Sequence, residues 1–158
     1  FNYLERFCGP IKTVDATLKD SRVGETRAVV QGEFENGVGY VLRLDTNPNC
    51  VLSEHSIKVY GQEGCLTLNN LSSDYCRSFT LILTDPTGNV KYLAEDEEVE
   101  QATGDSRIVL VARNIKRWVD AVQAGTSMNP GIEEGWRAQK LVLSAVTSDL
   151  RKEPINVE

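Results

Sequence analysis

Hydrophobic and polar residues alternate with a period near two through the first half of the chain. That period predicts β-strands with one buried face. The alternating stretches are "IKTVDATLK" at 11–19, "TRAVVQGEF" at 26–34, "SIKVYGQEGCLTLNN" at 56–70 and "SFTLILTD" at 78–85. "DPTGNVKYL" then has the turn residues of another hairpin. The first half is therefore expected to be a run of antiparallel strands.

The clearest local signal is "FENGVGYVLRL", in which Asn36-Gly37 separates two alternating runs. Both residues tolerate positive φ, which predicts a tight type I′ hairpin turn. One face of this hairpin is expected to be core, and it carries Ala28, Val30, Phe34, Val38, Tyr40 and Leu42. The other face is expected to be polar, and it carries Arg27, Gln31, Glu33 and Arg43.

Further along, the period changes to that of α-helices. One apolar stripe runs through Val111, Ile115, Trp118, Val119 and Val122, and Gly125 is placed to end the helix. A second helix is predicted with Asn129 as N-cap and Pro130 in its first turn. Its apolar positions are Ile132, Trp136, Leu141, Val142 and Ala145. Both tryptophans are expected to pack in the core.

The two ends of the chain also carry local signals. "FNYLERFCGP" is typical of the end of a helix, because Gly9 and Pro10 stop it, and residues 1–8 are assigned to that helix. "PINV" near the other end predicts a short edge strand. Strands followed by helices indicate a single α+β domain over residues 1–158. We expect an open, predominantly antiparallel sheet of about six strands with helices packed on one face.

Composition and motifs exclude several function classes. A net charge of -6 argues against nucleic-acid binding, and no apolar run is long enough to span a membrane. The acidic segment "AEDEEVE" at 94–100 is interpreted as a solvated connection. Cys8, Cys50, Cys65 and Cys76 are expected to be reduced, because their spacing matches no metal or disulfide motif. No metal site is expected, and the lone His55 disfavours a nucleophile that depends on histidine.

No dinucleotide-binding unit is predicted within these residues. Strands do not alternate with helices, and no GxGxxG lies between a strand and a helix. "YGQEG" at 60–64 contains two glycines but lies between two predicted strands, so it is interpreted as a hairpin turn.

Taken in order, several segments resemble the C-terminal domain of the Gfo/Idh/MocA family of NAD(P)-dependent oxidoreductases. They are "FCGPIKTVDA", "FENGVGYVLRL", "IKVYGQEGCLTL", "NIKRWVDAVQAG" and "NPGIEEGWRAQKLVLSAVTSDLRKEPINV". They cover nearly the whole chain, and the least similar stretch is 84–105. In this family a Rossmann domain binds the nicotinamide cofactor, and a helix with catalytic residues leads into the open sheet. On that pattern Phe1 follows the position of the catalytic histidine.

The resemblance implies hydride transfer on a sugar, polyol or related hydroxy compound by a full-length protein using NAD or NADP. This chain would supply one wall of the substrate cleft, with no catalytic, cofactor or metal residue of its own, and would be inactive alone. Arg22, Tyr3 and Lys19 are the candidate substrate contacts, and Asp20 is a weaker one. A surface arginine at position 22 and a Tyr3 packed on the sheet are the plain alternatives.

The resemblance further implies a cytoplasmic homo-oligomer formed through the free sheet face, near Arg27, Gln31, Glu33, Arg43 and Lys58. A hydrated face is the plain alternative. Two other functions remain open at this point. One is a non-catalytic regulatory or ligand-binding protein with the same two domains. The other is a stand-alone α+β interaction module.

Overall fold

The computed structural model describes residues 1–20, 26–46, 54–74, 76–94 and 104–157. Within these residues the chain forms eight strands and three helices. The chain divides into two compact units, Phe1–Cys50 with Ser127–Glu158 and Val51–Thr126. Each unit is described by itself. The α+β class and the antiparallel pairing predicted from the sequence are confirmed.

The first unit contains two helices and a four-stranded sheet. The helices are α1 (Asn2–Cys8) and α3 (Ile132–Arg151). The strands are β1 (Thr13–Asp20), β2 (Thr26–Glu33), β3 (Gly39–Thr46) and β8 (Ile155–Asn156), in the order β3-β2-β1-β8. All neighbours pair antiparallel. The short last strand agrees with the edge strand predicted from "PINV".

The second unit contains a four-stranded meander and one helix. Its strands are β4 (His55–Gly61), β5 (Gly64–Asn70), β6 (Thr80–Thr84) and β7 (Val90–Ala94), in the order β4-β5-β6-β7. "YGQEG" forms the turn between β4 and β5, as predicted. The helix is α2 (Arg107–Ala124), which ends at Gly125 with φ 64°. The described strands thus form two four-stranded sheets, where the sequence predicted one of about six.

The register of the meander places six of its apolar side chains on one face. Val59 pairs with Leu66, which pairs with Leu83, and Ile57 pairs in the same way with Leu68 and Leu81. All six are half-buried.

Lys58 belongs to this sheet, and so it is not part of the sheet face that carries Arg27 and Arg43.

The core of the first unit lies between β1, β2, β3 and α3. Its buried apolar residues are Ile11, Val14, Ala16, Val30, Phe34, Tyr40, Leu141 and Ala145. The rings of Phe34 and Tyr40 contact each other in a tilted arrangement, with centroids 5.3 Å apart and 52° between the ring planes. Tyr40 pairs with Gly32, where a Cβ would collide with the Thr13 carbonyl oxygen and lie 3.1 Å from Tyr40 Cε1. Val38, predicted on this face, is instead 49% exposed at the hairpin turn.

The β2–β3 hairpin has a different turn type from the one predicted. Gly37 N–H donates to Phe34 O, and Phe34 N–H donates to Val38 O, each at 2.9 Å. Among residues 34–38 only Gly37 has positive φ, at 83°. This is a type I turn followed by a left-handed glycine, a common three-residue hairpin loop. Type I′ would require positive φ at Asn36 as well.

The third helix covers the open edge of β1. Among the described residues, β8 pairs with β1 only at Thr13 and Val14. Beyond them, Ala16 N–H donates to Ser148 Oγ at 3.0 Å and Leu18 N–H donates to Asp149 Oδ1 at 3.1 Å. These bonds satisfy backbone donors that an edge strand otherwise leaves to solvent or to another chain.

The buried stripe of α3 differs from the predicted one. It consists of Leu141, Ser144, Ala145 and Ser148. Small residues let the helix approach β1 closely, so the stripe with the largest apolar side chains faces outward. Ile132 is 90% exposed, Trp136 63% and Val142 45%.

The apolar stripe of α2 is also exposed, with Trp118 at 58% and no buried residue in the helix. The predicted core packing of both tryptophans is therefore wrong in this structure. Periodicity identifies the apolar face of a helix but does not determine what covers it.

Candidate functional site

Only two of the three predicted substrate contacts lie in the described part of the chain. Arg22 lies outside it, as do Cys50 and most of the acidic segment 94–100. Tyr3 lies on α1 and is 68% exposed, so it does not pack on the sheet. Lys19 is exposed near the far end of β1, roughly 20 Å beyond the start of that strand. Tyr3 and Lys19 are therefore not brought together.

A concave feature of the first unit lies between α1 and the beginning of α3. It is an open depression of about 330 Å³. Its lining residues are Glu5, Arg6, Asn129, Glu133, Glu134 and Arg137. The lining mixes carboxylates, guanidinium groups and an amide, which suits hydrogen bonding to a polar small molecule. The depression is at the small end of the size range for ligand sites.

An ion pair between α1 and α3 forms the inner part of this depression. Glu5 Oε1 lies 3.1 Å from both Nε and Nη2 of Arg137, and it also accepts the Ile11 N–H at 2.8 Å. Arg137 Nη2 donates to Ile11 O at 2.9 Å. The two side chains are only 15% and 24% exposed. The pair therefore joins α1, α3 and the segment that leads into β1.

Tyr40 lies in the electrostatic field of the same carboxylate. Its hydroxyl donates to Thr13 O at 3.0 Å. Burial of the phenol, with a smaller contribution from the charge of Glu5, raises the pKa of Tyr40 to about 12. Tyr40 is thus held neutral at ordinary pH and serves as a hydrogen-bond donor inside the unit.

The outer part of the depression is the first turn of α3. The helix begins two residues later than predicted, with Gly131 as N-cap in place of Asn129. Glu134 Oε2 accepts the Gly131 N–H at 2.7 Å. This bond, followed by one from its own N–H, lowers the pKa of Glu134. Glycine has no side chain to return a bond, so only one half of a capping box is present.

Chemically, this arrangement favours binding and positioning over proton transfer. Glu134 is ionised at neutral pH like an ordinary glutamate, and its lowered pKa makes it a still poorer proton donor. Glu5 and Arg137 are each used in contacts within the protein. The depression offers polar contacts but no arrangement of nucleophile and base.

The described residues do not fit a nicotinamide cofactor. Dinucleotides bind where a parallel strand leads through a glycine-rich turn into a helix, and the described strands here pair antiparallel. Among the described residues no group of His, Cys, Asp or Glu is arranged to hold a metal ion. None of the helices in this part of the chain has the length and apolar character needed to cross a membrane.

A second polar cluster anchors the start of α2 in the second unit. The Asp74 carboxylate accepts the Ser106 hydroxyl, 2.9 Å from Oδ1 and 3.0 Å from Oδ2, and it accepts the Cys76 N–H at 2.9 Å. The backbone bond from Cys76 is the main reason that the pKa of Asp74 is lowered. Ser106 is buried beside it. This cluster is structural, because its bonds are made within the protein.

Glu5 and Arg137 were not identified from the sequence. They are separated by 132 positions, and neither belongs to a motif with local spacing. Arg137 lies one turn before Leu141 on the buried stripe of α3, so a charged residue on that stripe was the available signal. A buried charge on a helix face normally requires a partner.

Comparison with solved structures shows what the fold resembles. The chain superposes on an oxidoreductase from Agrobacterium radiobacter, solved in complex with NAD+, L-tartaric acid and magnesium, with a TM-score of 0.69 and 17% identity. It superposes on levoglucosan dehydrogenase, in complex with NADH and L-sorbose, with a TM-score of 0.75 and 14% identity. Each match covers 99% of this chain, but 46% and 47% of the two oxidoreductases.

The chain thus spans about half the length of the structures that it matches. No protein-family model and no curated protein sequence matches it at a significant level. At this level of identity the similarity establishes the fold. The chain therefore has a fold that forms part of NAD-dependent oxidoreductases.

Proposed function

We propose that this chain is the C-terminal, substrate-binding and oligomerisation domain of an NAD(P)-dependent oxidoreductase of the Gfo/Idh/MocA type. Its substrate would be a sugar, a polyol or a related small hydroxy compound. The observation that supports this most strongly is the fold similarity, which covers 99% of this chain and about half of each neighbour. The order of the sequence segments that resemble the family agrees with it.

In this proposal the two halves of the protein divide the work. The described strands offer no dinucleotide site, so the cofactor and the hydride transfer belong to the other half. This chain holds the substrate. Tyr3 is the described candidate best placed for that role, because its phenol is on α1 and largely exposed. Lys19 on β1 also remains a candidate, as does Arg22, which lies outside the described residues.

The free face of the first sheet is the proposed oligomer contact. On this outer face, Arg27 lies 3.4 Å from Asp45, and Gln31 Nε2 donates to Asp15 Oδ2 at 3.0 Å. Val29 and Val41 lie between these polar groups, 42% and 69% exposed. Opposite charges beside exposed valines are suited to a partner face of the same kind.

The test uses the full-length polypeptide and the 158-residue chain in parallel. Each is incubated with NAD and with NADP and a panel of sugars, polyols and hydroxy acids, and formation of the reduced cofactor is followed by absorbance. We expect turnover from the full-length protein and none from the chain. Tyr3→Phe should raise KM for the best substrate, whereas Tyr60→Phe should not, since Tyr60 is an exposed tyrosine of the second unit.

Two outcomes would reject the proposal. Turnover by the 158-residue chain alone would contradict the division of labour. A full-length protein that binds the cofactor but turns over no member of the panel would instead favour the non-catalytic alternative. The panel should include an acyclic hydroxy acid and a ketose, because the two structural neighbours were solved with L-tartaric acid and L-sorbose.

A further inference from the structure

α1 depends on tertiary contacts for its direction. The described part of α1 is Asn2–Cys8. Tyr3 and Phe7 on its surface are 68% and 67% exposed, so they contribute little to holding it. The contacts that hold it include apolar packing by Phe1, Leu4 and Cys8, a hydrogen bond from Asn36 Nδ2 to Cys8 O at 2.9 Å, and the ion pair made by Glu5.

The ion pair has the geometry of a clamp. Oε1 of Glu5 accepts the Ile11 N–H and lies 3.1 Å from two nitrogens of Arg137. Arg137 also donates a hydrogen bond to the Ile11 carbonyl oxygen. Apolar packing alone lets a helix rotate, whereas several directional bonds to a planar guanidinium resist rotation. Arg137 itself is held on α3, a helix of 20 residues whose inner stripe is buried against β1.

From this geometry we infer that Arg137 is a positioning residue, which acts through Glu5 to fix the direction of α1. The inference rests on the proposed function, in which α1 connects the cofactor-binding half to this domain. If α1 keeps a fixed direction, the residues that precede Phe1 in the full-length protein keep a fixed position relative to the residues that bind the substrate. A small rotation of α1 would then misplace reacting groups without changing the substrate wall itself.

The test is steady-state kinetics of the full-length protein with its best substrate and cofactor. The variants are Arg137→Gln, Arg137→Lys, Glu5→Gln and the double variant of Glu5→Gln with Arg137→Gln. Arg151→Gln is the matched control, because it removes an exposed arginine of the same helix whose ion pair with Glu153 is 3.8 Å long. All rates are measured below the thermal midpoint of the least stable variant, and hydrogen exchange of the α1 amides is followed in parallel.

We expect kcat of Arg137→Gln to fall about tenfold while KM stays within about twofold, since misplaced groups slow the reaction more than they weaken binding. Hydrogen exchange in α1 should be faster. Arg137→Lys should recover part of kcat, because an ammonium can bind Glu5 or Ile11 O but not both in the same geometry. The double variant should be no slower than the slower single variant, because both changes remove one interaction.

Other results would overturn the inference. If Arg137→Gln lowers the thermal midpoint but has the same kcat as the control Arg151→Gln, the ion pair stabilises the fold and does not position α1 for the reaction. If KM rises and kcat is unchanged, Arg137 contacts substrate and does not position α1. A wild-type protein without turnover would reject the proposed function and this role together, so the two failures are distinguishable.

Discussion

At the scale of single residues, Ser148 shows how one hydroxyl stabilises two elements. It is fully buried on α3, accepts the Ala16 N–H and donates to Glu153 O at 2.8 Å. The first bond satisfies a backbone donor at the edge of β1, and the second satisfies a backbone carbonyl just after the end of α3. Serine at this position of the buried stripe supplies the acceptor that the backbone N–H of an edge strand needs when it faces a helix.

We expect Ser148→Ala to lower the free energy of unfolding by about 1 to 3 kcal/mol, because the Ala16 N–H of a buried residue loses its acceptor and the Glu153 C=O loses its donor. Thr147→Ala is the control, since the Thr147 hydroxyl binds Leu143 O within the same helix. Urea unfolding followed by circular dichroism measures both. Equal losses in the two variants would show that the β1 edge does not depend on Ser148.

Tyr40 predicts a dependence of stability on alkaline pH. Its pKa is raised from 10.0 to about 12 by burial and, secondarily, by Glu5. Above about pH 10 the unfolded chain releases the phenol proton while the folded chain retains it, so the contribution of Tyr40 is lost as pH rises towards 12. Below pH 10 this contribution is fully present.

The variant Tyr40→Phe should therefore flatten the decline of unfolding free energy between about pH 10 and pH 12. Tyr60→Phe, in which a 77% exposed tyrosine is changed, should keep the decline of the wild type. The measurement is urea unfolding at several alkaline pH values. An unchanged decline in Tyr40→Phe would refute the role assigned to its burial.

At the scale of elements, the first turn and the buried stripe of α3 determine where the helix begins and how it packs. Glu134 caps the first turn by accepting the Gly131 N–H, and small residues along the stripe let the helix lie close to β1. Glu133 lies in the same turn without making that bond to Gly131, so both acidic residues share the favourable helix dipole but only Glu134 forms the cap. The pair provides a matched comparison.

Glu134→Ala should lower the thermal midpoint more than Glu133→Ala at neutral pH. The pKa of Glu134 is lowered in the folded state, so its contribution is present above the unfolded pKa and disappears as pH falls through the folded one. The difference between the two variants should accordingly vanish in strong acid. Thermal unfolding by circular dichroism at both pH values tests this, and equal midpoints at neutral pH would contradict the capping role.

At the scale of the whole molecule, two compact units each carry a four-stranded antiparallel sheet. The first unit leaves one sheet face free, with alternating charges and exposed valines. The second unit leaves the apolar stripe of α2 exposed. Exposed apolar patches often mark surfaces that bind other proteins, and the oligomer contact proposed above uses the first of these two faces.

If the outer face of the first sheet is the oligomer contact, Val41→Arg should convert the oligomer into monomers. A buried, unpaired charge at the centre of an interface typically costs several kcal/mol, on the order of what holds a weak dimer together. Leu150→Arg is the control, because Leu150 is 77% exposed on α3 and lies off that face. Size-exclusion chromatography with light scattering measures the mass. A wild-type chain that is monomeric at high concentration would contradict the contact.

Most of the local structure was predictable, because backbone geometry sets the period of a strand and of a helix. The strands of the hairpins, the end of α2 at Gly125 and the short last strand were each predicted from such signals. The exact turn at Asn36-Gly37 was not, because two hairpin loops with glycine have similar sequences and differ in which residues take positive φ.

The sequence by itself determined the α+β class, the antiparallel pairing and the order of the elements, because these follow from patterns of neighbouring residues. Only the tertiary structure decided the division into two sheets, the inner face of α3 and the Glu5–Arg137 pair. These features depend on contacts between residues far apart in the chain. Such contacts produce no periodic pattern in the sequence from which they could be predicted.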